Sequence, residues 1–373
     1  MARFIHTADW QIGTQFGSFD SEEATLLAQA RLETVATIAR LATERGVDAI
    51  LVAGDVFDHH TVTSVLIRRL FAALEGFAGR WILLPGNHDA ALMESVWTRA
   101  QQLGCIPPNV TVALAPVPIK MPESGFVVLP APLTQRQTFD DLTACFDNTK
   151  TQEGVIRVGL AHGSMASLLP EGAESSNPIA VDRAHTAGLD YLALGDWHGV
   201  LKIDDRTWYA GTPEQDRFKG NRPGHILDVN IAHAGAVPEV QEVRVGRYQW
   251  HIWDELIGVT SDVDLLVGRL AALGPDDVLR IDISGIADLE CSSSIEKALE
   301  IARARIRALQ SDMSRLQLQP TADEIAALGA GSGYLANVVA ALNDLQRDSE
   351  EGAIATEALH QLARIQRTQR APL

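Results

Sequence analysis

Apolar residues follow two rhythms through the first half of the chain. Short apolar runs at residues 3–8, 48–54 and 81–85 read as strands buried on both faces. Between them, helical spacing predicts a helix over about 22–45, stopped by Gly46, and another over about 64–77. Further strands are expected at 110–114, 126–129, 155–160, 191–194 and 208–210. Such alternation predicts an α/β layered architecture. A second region begins near Gly246, with a helix over 263–273, a strand over 278–283 and a long helix over 295–316. In that helix Ile295, Leu299, Ala302, Ile306, Leu309, Met313 and Leu316 form a heptad stripe, Ser293 and Glu296 have capping-box spacing, and Pro320 ends it. Amphipathic helices follow from Thr321, broken around residues 329–333. The expected division is 1–245, 246–320 and 321–373.

Polar residues cluster where the predicted strands end: Asp9, Gly54-Asp55, Gly86-Asn87-His88-Asp89, His162-Gly163 and Gly195-Asp196-Trp197-His198. The C-terminal edge of parallel strands is where α/β proteins bind ligands. Asp9, Asp55, Asn87, His162, Asp196 and His198 are oxygen and imidazole donors, suited to manganese, magnesium, iron or zinc rather than to a thiolate site. Carboxylates gathered without a cation repel one another, so a metal-free site would be costly. Two ions about 3.5–4 Å apart can clamp a phosphodiester.

Composition narrows the choice. With 31 basic and 48 acidic side chains the net charge is −17, which excludes a chain that coats nucleic acid by bulk positive charge. It does not exclude a nuclease, because bound cations supply positive charge locally. Hydrophobic residues make up 46% of the chain, enough for an ordinary core. Three cysteines without a CxxC pair argue against a disulfide scaffold or zinc ribbon and fit a reducing compartment. There is no signal-like N-terminus and no apolar run of about 18 residues, so a cytoplasmic protein without membrane contact is expected.

The ordered set Asp9-x-Gln11, Gly54-Asp55-x-x-Asp58, Gly86-Asn87-His88-Asp89, His162 and Gly195-Asp196-x-His198 resembles the calcineurin-like metallophosphoesterases. His-Thr-Ala-Asp-Trp near the start, Gly-Asp-Val-Phe-Asp and Tyr-Ala-Gly-Thr-Pro-Glu at 209–214 are similar to the SbcD-type DNA-repair exonucleases within them. The likeness covers residues 1–245 and is one of layout beyond. It implies a layered β-sandwich flanked by helices, with a small α/β capping region and C-terminal helices. It also implies two divalent ions, Mn²⁺ first among them with Mg²⁺ as an alternative, bridged by Asp55. Asp9 and His198 would bind the first ion, with Gln11 where the family has histidine. Asn87 and His162 would bind the second, with Asp196 again replacing a histidine. After metal hydroxide attacks phosphorus, His88 would be the general acid, oriented by Asp58.

The implied partners are DNA and a coiled-coil ABC ATPase of SbcC type, since the sequence has no GxxxxGK[ST] loop of its own. A homodimer is left open. The expected function is a metal-dependent DNA phosphodiesterase, exonuclease or endonuclease, acting in DNA repair. A phosphodiesterase for cyclic nucleotides or nucleotide esters, and a catalytically weakened DNA-end-binding scaffold, are the alternatives. Trp10 and Trp197, beside candidate ligands, read as packing residues before base-stacking ones. Arg303, Arg305 and Arg307 are solvated charge or a phosphate-tracking patch. The last helix, with Leu359, Leu362 and Ile365 on one face and Arg364, Arg367 and Arg370 beside it, is a docking segment or a plain terminal helix.

Overall fold

The computed structural model describes residues 1–121, 123–165, 176–329, 333–347 and 351–370. The chain divides into two compact units, Met1–Gln249 and Trp250–Leu373.

In the first unit, β1 (Ala2–Thr7), β2 (Ala49–Val52), β3 (Arg80–Leu83), β4 (Val110–Val112), β13 (His225–Ile231) and β14 (Glu239–Arg244) form a six-stranded sheet in the order β14-β13-β1-β2-β3-β4. Strands β5 (Ile119–Met121), β6 (Phe126–Ala131), β7 (Ile156–His162), β10 (Tyr191–Gly195), β11 (Leu201–Lys202) and β12 (Thr207–Tyr209) form another, in the order β11-β12-β10-β7-β6-β5. The short pair β8 (Ser164–Met165) and β9 (Pro178–Ile179) stands apart. Each large sheet has four consecutive parallel strands, β1 to β4 running to one edge of the first and β12, β10, β7 and β6 in the middle of the second.

Period-two alternation explains why both faces are apolar. Phe4, Leu51 and Ile82 of the first sheet meet Phe126, Val158 and Tyr191 of the second in one core. Ile5, Ile50 and Val52 point the other way, into a core capped by α1 (Ser21–Arg45), α2 (Ser64–Ala73) and α3 (Val96–Gln102). The outer face of the second sheet packs on Phe146 and on the segment around α4 (Arg183–Thr186). The result is the expected β-sandwich flanked by helices. Helix α1 is capped by Asp20, whose carboxylate accepts from the Glu22 and Glu23 amides, and stopped by Gly46 in the left-handed conformation (φ 61°).

His6 sits on the seam between the sheets, fully buried. Its Nε2 lies 3.2 Å from the Leu194 carbonyl and its Nδ1 3.0 Å from the Tyr191 hydroxyl. The carbonyl requires Nε2–H as donor, and since burial lowers the pKa to about 3 the ring is neutral, so its Nδ1 accepts from the hydroxyl.

The second unit contains β15 (Gln249–Ile257), α5 (Thr260–Ala272), β16 (Asp277–Ala287), α6 (Leu289–Arg305), β17 (Ala308–Leu318), α7 (Ala322–Gly329), α8 (Tyr334–Leu345) and α9 (Gly352–Arg370). The order β15-β16-β17 makes a three-stranded sheet covered by α5 and α6. Here the expectation of one helix over 295–316 fails. The helix starts six residues earlier, on an Asp288 cap whose carboxylate accepts from the Cys291 amide at 2.7 Å, and ends at Arg305. From Ala308 the chain is a strand parallel to β16. The pairing slips between Asp282 and Ser284, which oppose Asp312 and Arg315, so β17 carries an extra residue. That bulge shifts the alternation from Leu309 and Met313 to Leu316, and the resulting four-then-three spacing imitates a heptad.

Arg303 and Arg305 donate to the carbonyls of Leu309 and Leu270, and Arg307 lies beyond the helix. Helices α7 to α9 gather Ile325, Val339 and Leu359 into a small core with Leu342 and Leu362 at its edge. Residues 330–332 of the expected glycine-rich break, and the side chains of Arg364, Arg367 and Arg370, lie outside the described residues. No helix among the described residues is long and apolar enough to cross a membrane.

Candidate metal centre

The parallel strands β1, β2, β3, β7 and β10 all end at the same edge of the sandwich, and the polar clusters sit on their C-terminal turns. The turns are unusual in their backbone. Asp9 (φ 52°), Gln11 (φ 44°), Asp55 (φ 50°) and Asp196 (φ 102°) are all left-handed, a conformation that costs a residue with a Cβ of order 1–3 kcal/mol and persists where surrounding contacts hold it. Here the loops hold each other. The Asp9 amide donates to the Gly54 carbonyl at 3.1 Å and the Gln11 amide to the Asp55 carbonyl at 2.8 Å. Gly86 is required by close approach, because a Cβ there would run into the Asp55 carboxylate.

The side chains form one connected set. His162 is the hub: its Nε2 lies 2.8 Å from Asn87 Oδ1, 3.5 Å from Asp55 Oδ1 and 3.8 Å from Asp196 Oδ1. Its Nδ1 lies 2.8 Å from the Ala53 carbonyl and 3.9 Å from Asp9 Oδ1. The Asp196 amide donates to the Asp9 carboxylate at 3.1 Å. Gln11 Nε2 donates to Asp55 Oδ2 at 3.2 Å and lies 3.3 Å from His198 Nε2. The Gln11 amide nitrogen faces these groups, so coordination through its oxygen requires the amide to turn over. His88 joins through its backbone, whose N–H donates to Asp55 Oδ1 at 2.9 Å. Its Nδ1 is 2.8 Å from the Asp58 carbonyl and 3.5 Å from the Asp58 carboxylate, while Nε2 looks toward Asp55 at 4.0 Å. All nine sequence-derived residues are therefore in one neighbourhood.

The electrostatics are those of a cation site. Ligand atoms of Asp9, Asp55 and His162 lie within 4.8 Å of one another, all three residues buried. Burial, together with repulsion from Asp55 and Asp196, pushes the Asp9 pKa up, although His198 and His162 oppose it. Burial by itself would lower the His162 pKa; Asp55, Asp9 and Asp196 overcome it and raise the value to about 9. A divalent ion bound here would displace that proton, since a ligating imidazole must be neutral. The donor set fits divalent ions. His88 is raised to about 9, chiefly by the Asp58 side chain, with burial opposing and Asp55 assisting.

Several groups to which the sequence reading gave no role support the site. Asp89 is buried, accepts from the Gly86 amide at 2.7 Å and the Phe57 amide at 3.0 Å, and so ties the β2 and β3 loops together. Asp216 binds His198 Nδ1 at 2.8 Å, fixing which nitrogen faces the site. Ser164 donates to Asp196 at 2.6 Å. Arg31 is buried on α1 and donates to the carbonyls of Trp10 (2.8 Å), Asp9 (3.0 Å) and Glu214 (2.7 Å) and to Thr212 Oγ1 (3.0 Å). Its legible signal was a cation amid the apolar stripe of a helix. Glu214 in turn accepts from Thr34 Oγ1 and from the amides of Arg247 and Tyr248, which explains the Thr-Pro-Glu sequence. Trp10 is a core residue, its indole on Thr7 Oγ1, so base stacking does not apply to it. Trp197 is half-buried, with Lys219 Nζ 5.1 Å from its ring centre.

Residues 2–165 match the calcineurin-like phosphoesterase family, the stretch that supplies β1 to β7 of the sandwich and the Asp9, Asp55, Asn87 and His162 positions of its acidic edge. Within that class it is similar to the SbcD component of the SbcCD nuclease of Rhodobacter capsulatus, at 37% identity over 94 residues, which is 24% of this chain and 22% of the relative. It is also similar to the SbcD component of the SbcCD nuclease of Escherichia coli, at 38% identity over 99 residues, 25% of this chain and 23% of the relative. The matched part spans less than a quarter of these curated relatives.

Proposed function

We propose that this chain is a metal-dependent phosphodiesterase that cleaves DNA, with the site at the strand ends as its active centre. The observation that carries the reading is convergence: nine residues from the ends of five strands form one contact network around a buried carboxylate–imidazole core. Asp9, Gln11, Asp55 and His198 would hold one divalent ion, and Asn87, His162 and Asp196 with Asp55 would hold the other, with manganese the expected metal. Bound there, the ions supply Lewis acidity toward phosphoryl oxygens and lower the pKa of water.

The remaining chemistry belongs to the protein. His88 donates a proton from Nε2 to the leaving oxygen, while its Nδ1–H bond to Asp58 fixes the ring. A pKa raised to about 9 keeps it protonated at neutral pH. Asp216 and Asp89 position the loops. The second unit, and in it α7 to α9, is assigned to contacts with DNA and with a coiled-coil ATPase. That assignment draws on the relatives being one component of a larger nuclease. A cytoplasmic role in DNA repair goes with it.

The test is hydrolysis of labelled single- and double-stranded DNA and of bis(nitrophenyl) phosphate with manganese, with magnesium and with chelator. Metal-dependent DNA cleavage is expected. Cleavage of the small diester alone would favour a nucleotide phosphodiesterase, and metal binding without cleavage of either would leave a DNA-end-binding scaffold.

A further inference from the structure

The loop between β12 and β13 sets basic groups on the lip of an acidic site. Arg217 bonds Asp216 through Nε at 3.1 Å and a terminal nitrogen at 2.9 Å. That same terminal nitrogen lies 2.7 Å from Nδ1 and 3.3 Å from Nε2 of His198. The Arg217 side chain is 52% exposed, while Asp216 beneath it is 7% exposed. Two residues further on is Lys219, against Trp197.

These contacts do not saturate the guanidinium. Asp216 takes His198 Nδ1–H at 2.8 Å, which leaves a neutral imidazole with a lone pair on Nε2 alone. A guanidinium only donates, so it can bond that ring solely through Nε2, the atom assigned above to the first ion. With Nε2 engaged, Arg217 keeps its hold on Asp216 and has N–H donors left at the mouth of the site. An arginine anchored on a carboxylate at one edge and open at the other suits a phosphate oxygen. The chain carries a net charge of −17, so a polyanionic substrate has to find its positive charge locally.

We infer that Arg217 holds a non-bridging oxygen of the scissile phosphodiester, and that Lys219 steers a neighbouring phosphate when the substrate is a polynucleotide. The inference rests on the phosphodiesterase reading above and adds to it the group that binds substrate. Asp216 becomes a positioning residue for both His198 and Arg217.

The experiment compares the full-length parent with Arg217→Gln, Arg217→Lys and Lys219→Gln, all loaded with manganese. Calorimetry measures the affinities for Mn²⁺ and for inorganic phosphate, and hydrolysis is followed on bis(nitrophenyl) phosphate and on DNA. Arg217→Gln is expected to bind Mn²⁺ within about twofold of the parent, to bind phosphate at least about tenfold more weakly and to lose about 10²–10³-fold in kcat/KM. Arg217→Lys should recover part of this, since it restores the charge without the fork. Lys219→Gln should weaken DNA binding and flatten its salt dependence by about one unit of slope. Equal phosphate affinity in parent and Arg217→Gln, no phosphate binding by the parent, or Mn²⁺ affinity that falls in step with turnover would overturn the inference. If the parent cleaves no diester but Arg217→Gln still loses phosphate affinity, the phosphodiesterase reading fails and the anion site stands.

Discussion

The two large sheets meet at one edge but contribute to it differently. Loops from the first sheet supply Asp9 and Asp55, at most 2% exposed and held left-handed by hydrogen bonds between the loops themselves. The second sheet supplies His162, which is equally buried, and then Asp196 and His198, whose side chains are 31% and 12% exposed. Their shortest side-chain contacts are to Ser164 for Asp196 at 2.6 Å and, among the carboxylates, to Asp216 for His198 at 2.8 Å. The rigid half of the site thus lies on the first sheet. The half that can be tuned by substitution, including the Asp196 position, lies mostly on the second. Gln11 is the exception: it lies on a first-sheet loop but reaches across to His198.

The sharpest break in this comparison is at Asp55, which touches groups from both sheets through Gln11, His88 and His162. Asp55→Ala should lower DNA hydrolysis by more than about 10³-fold and abolish two-site manganese binding in a calorimetric titration. The fold should survive, as judged by circular dichroism. His88→Asn, also on the first-sheet side, should keep manganese affinity and lose about 10²–10⁴-fold on DNA. The loss should be smaller on bis(nitrophenyl) phosphate, whose leaving group needs little protonation. Equal losses on both substrates would make His88 structural.

The seam between the sheets has its own signature. The folded pKa of His6, about 3, lies below its ordinary 6.5. The unfolded chain therefore binds the extra proton between those values, and stability is lost as pH falls through that window. Between pH 6.5 and about pH 5 the loss should reach about 2 kcal/mol. His6→Gln should remove that contribution, visible as a shallower acid limb in urea unfolding of the variant beside the parent.

The smallest effect tests the tunable half. Gln11→His should tighten manganese binding at the Asp9, Asp55 and His198 site by about tenfold, because imidazole is a better donor than an amide for a transition metal. Asp196→His should weaken magnesium binding more than manganese binding. Titration curves unchanged by either substitution would show that these side chains do not coordinate.

By itself the sequence determined the strands, because runs such as Ala49-Ile-Leu-Val52 have no stable place except a sheet buried on both faces. It also pointed to the candidate residues that the structure gathers at one edge, because each polar cluster follows such a run directly and the chain cannot carry it far from the strand end. The sequence could not say that the chain from Ala308 to Leu318 is a strand. A β-bulge against Asp282–Ser284 imposes its four-then-three spacing, and a bulge exists only once two strands are paired. Nor did it yield Arg31, Asp216 or Arg217 as parts of the site, or a role for Asp89. Their role depends on which carbonyl, amide or imidazole faces them across distances of up to 183 residues in sequence, as between Arg31 and Glu214. Local pattern encodes which face of an element is apolar; only the packed sandwich decides which loops meet at its edge.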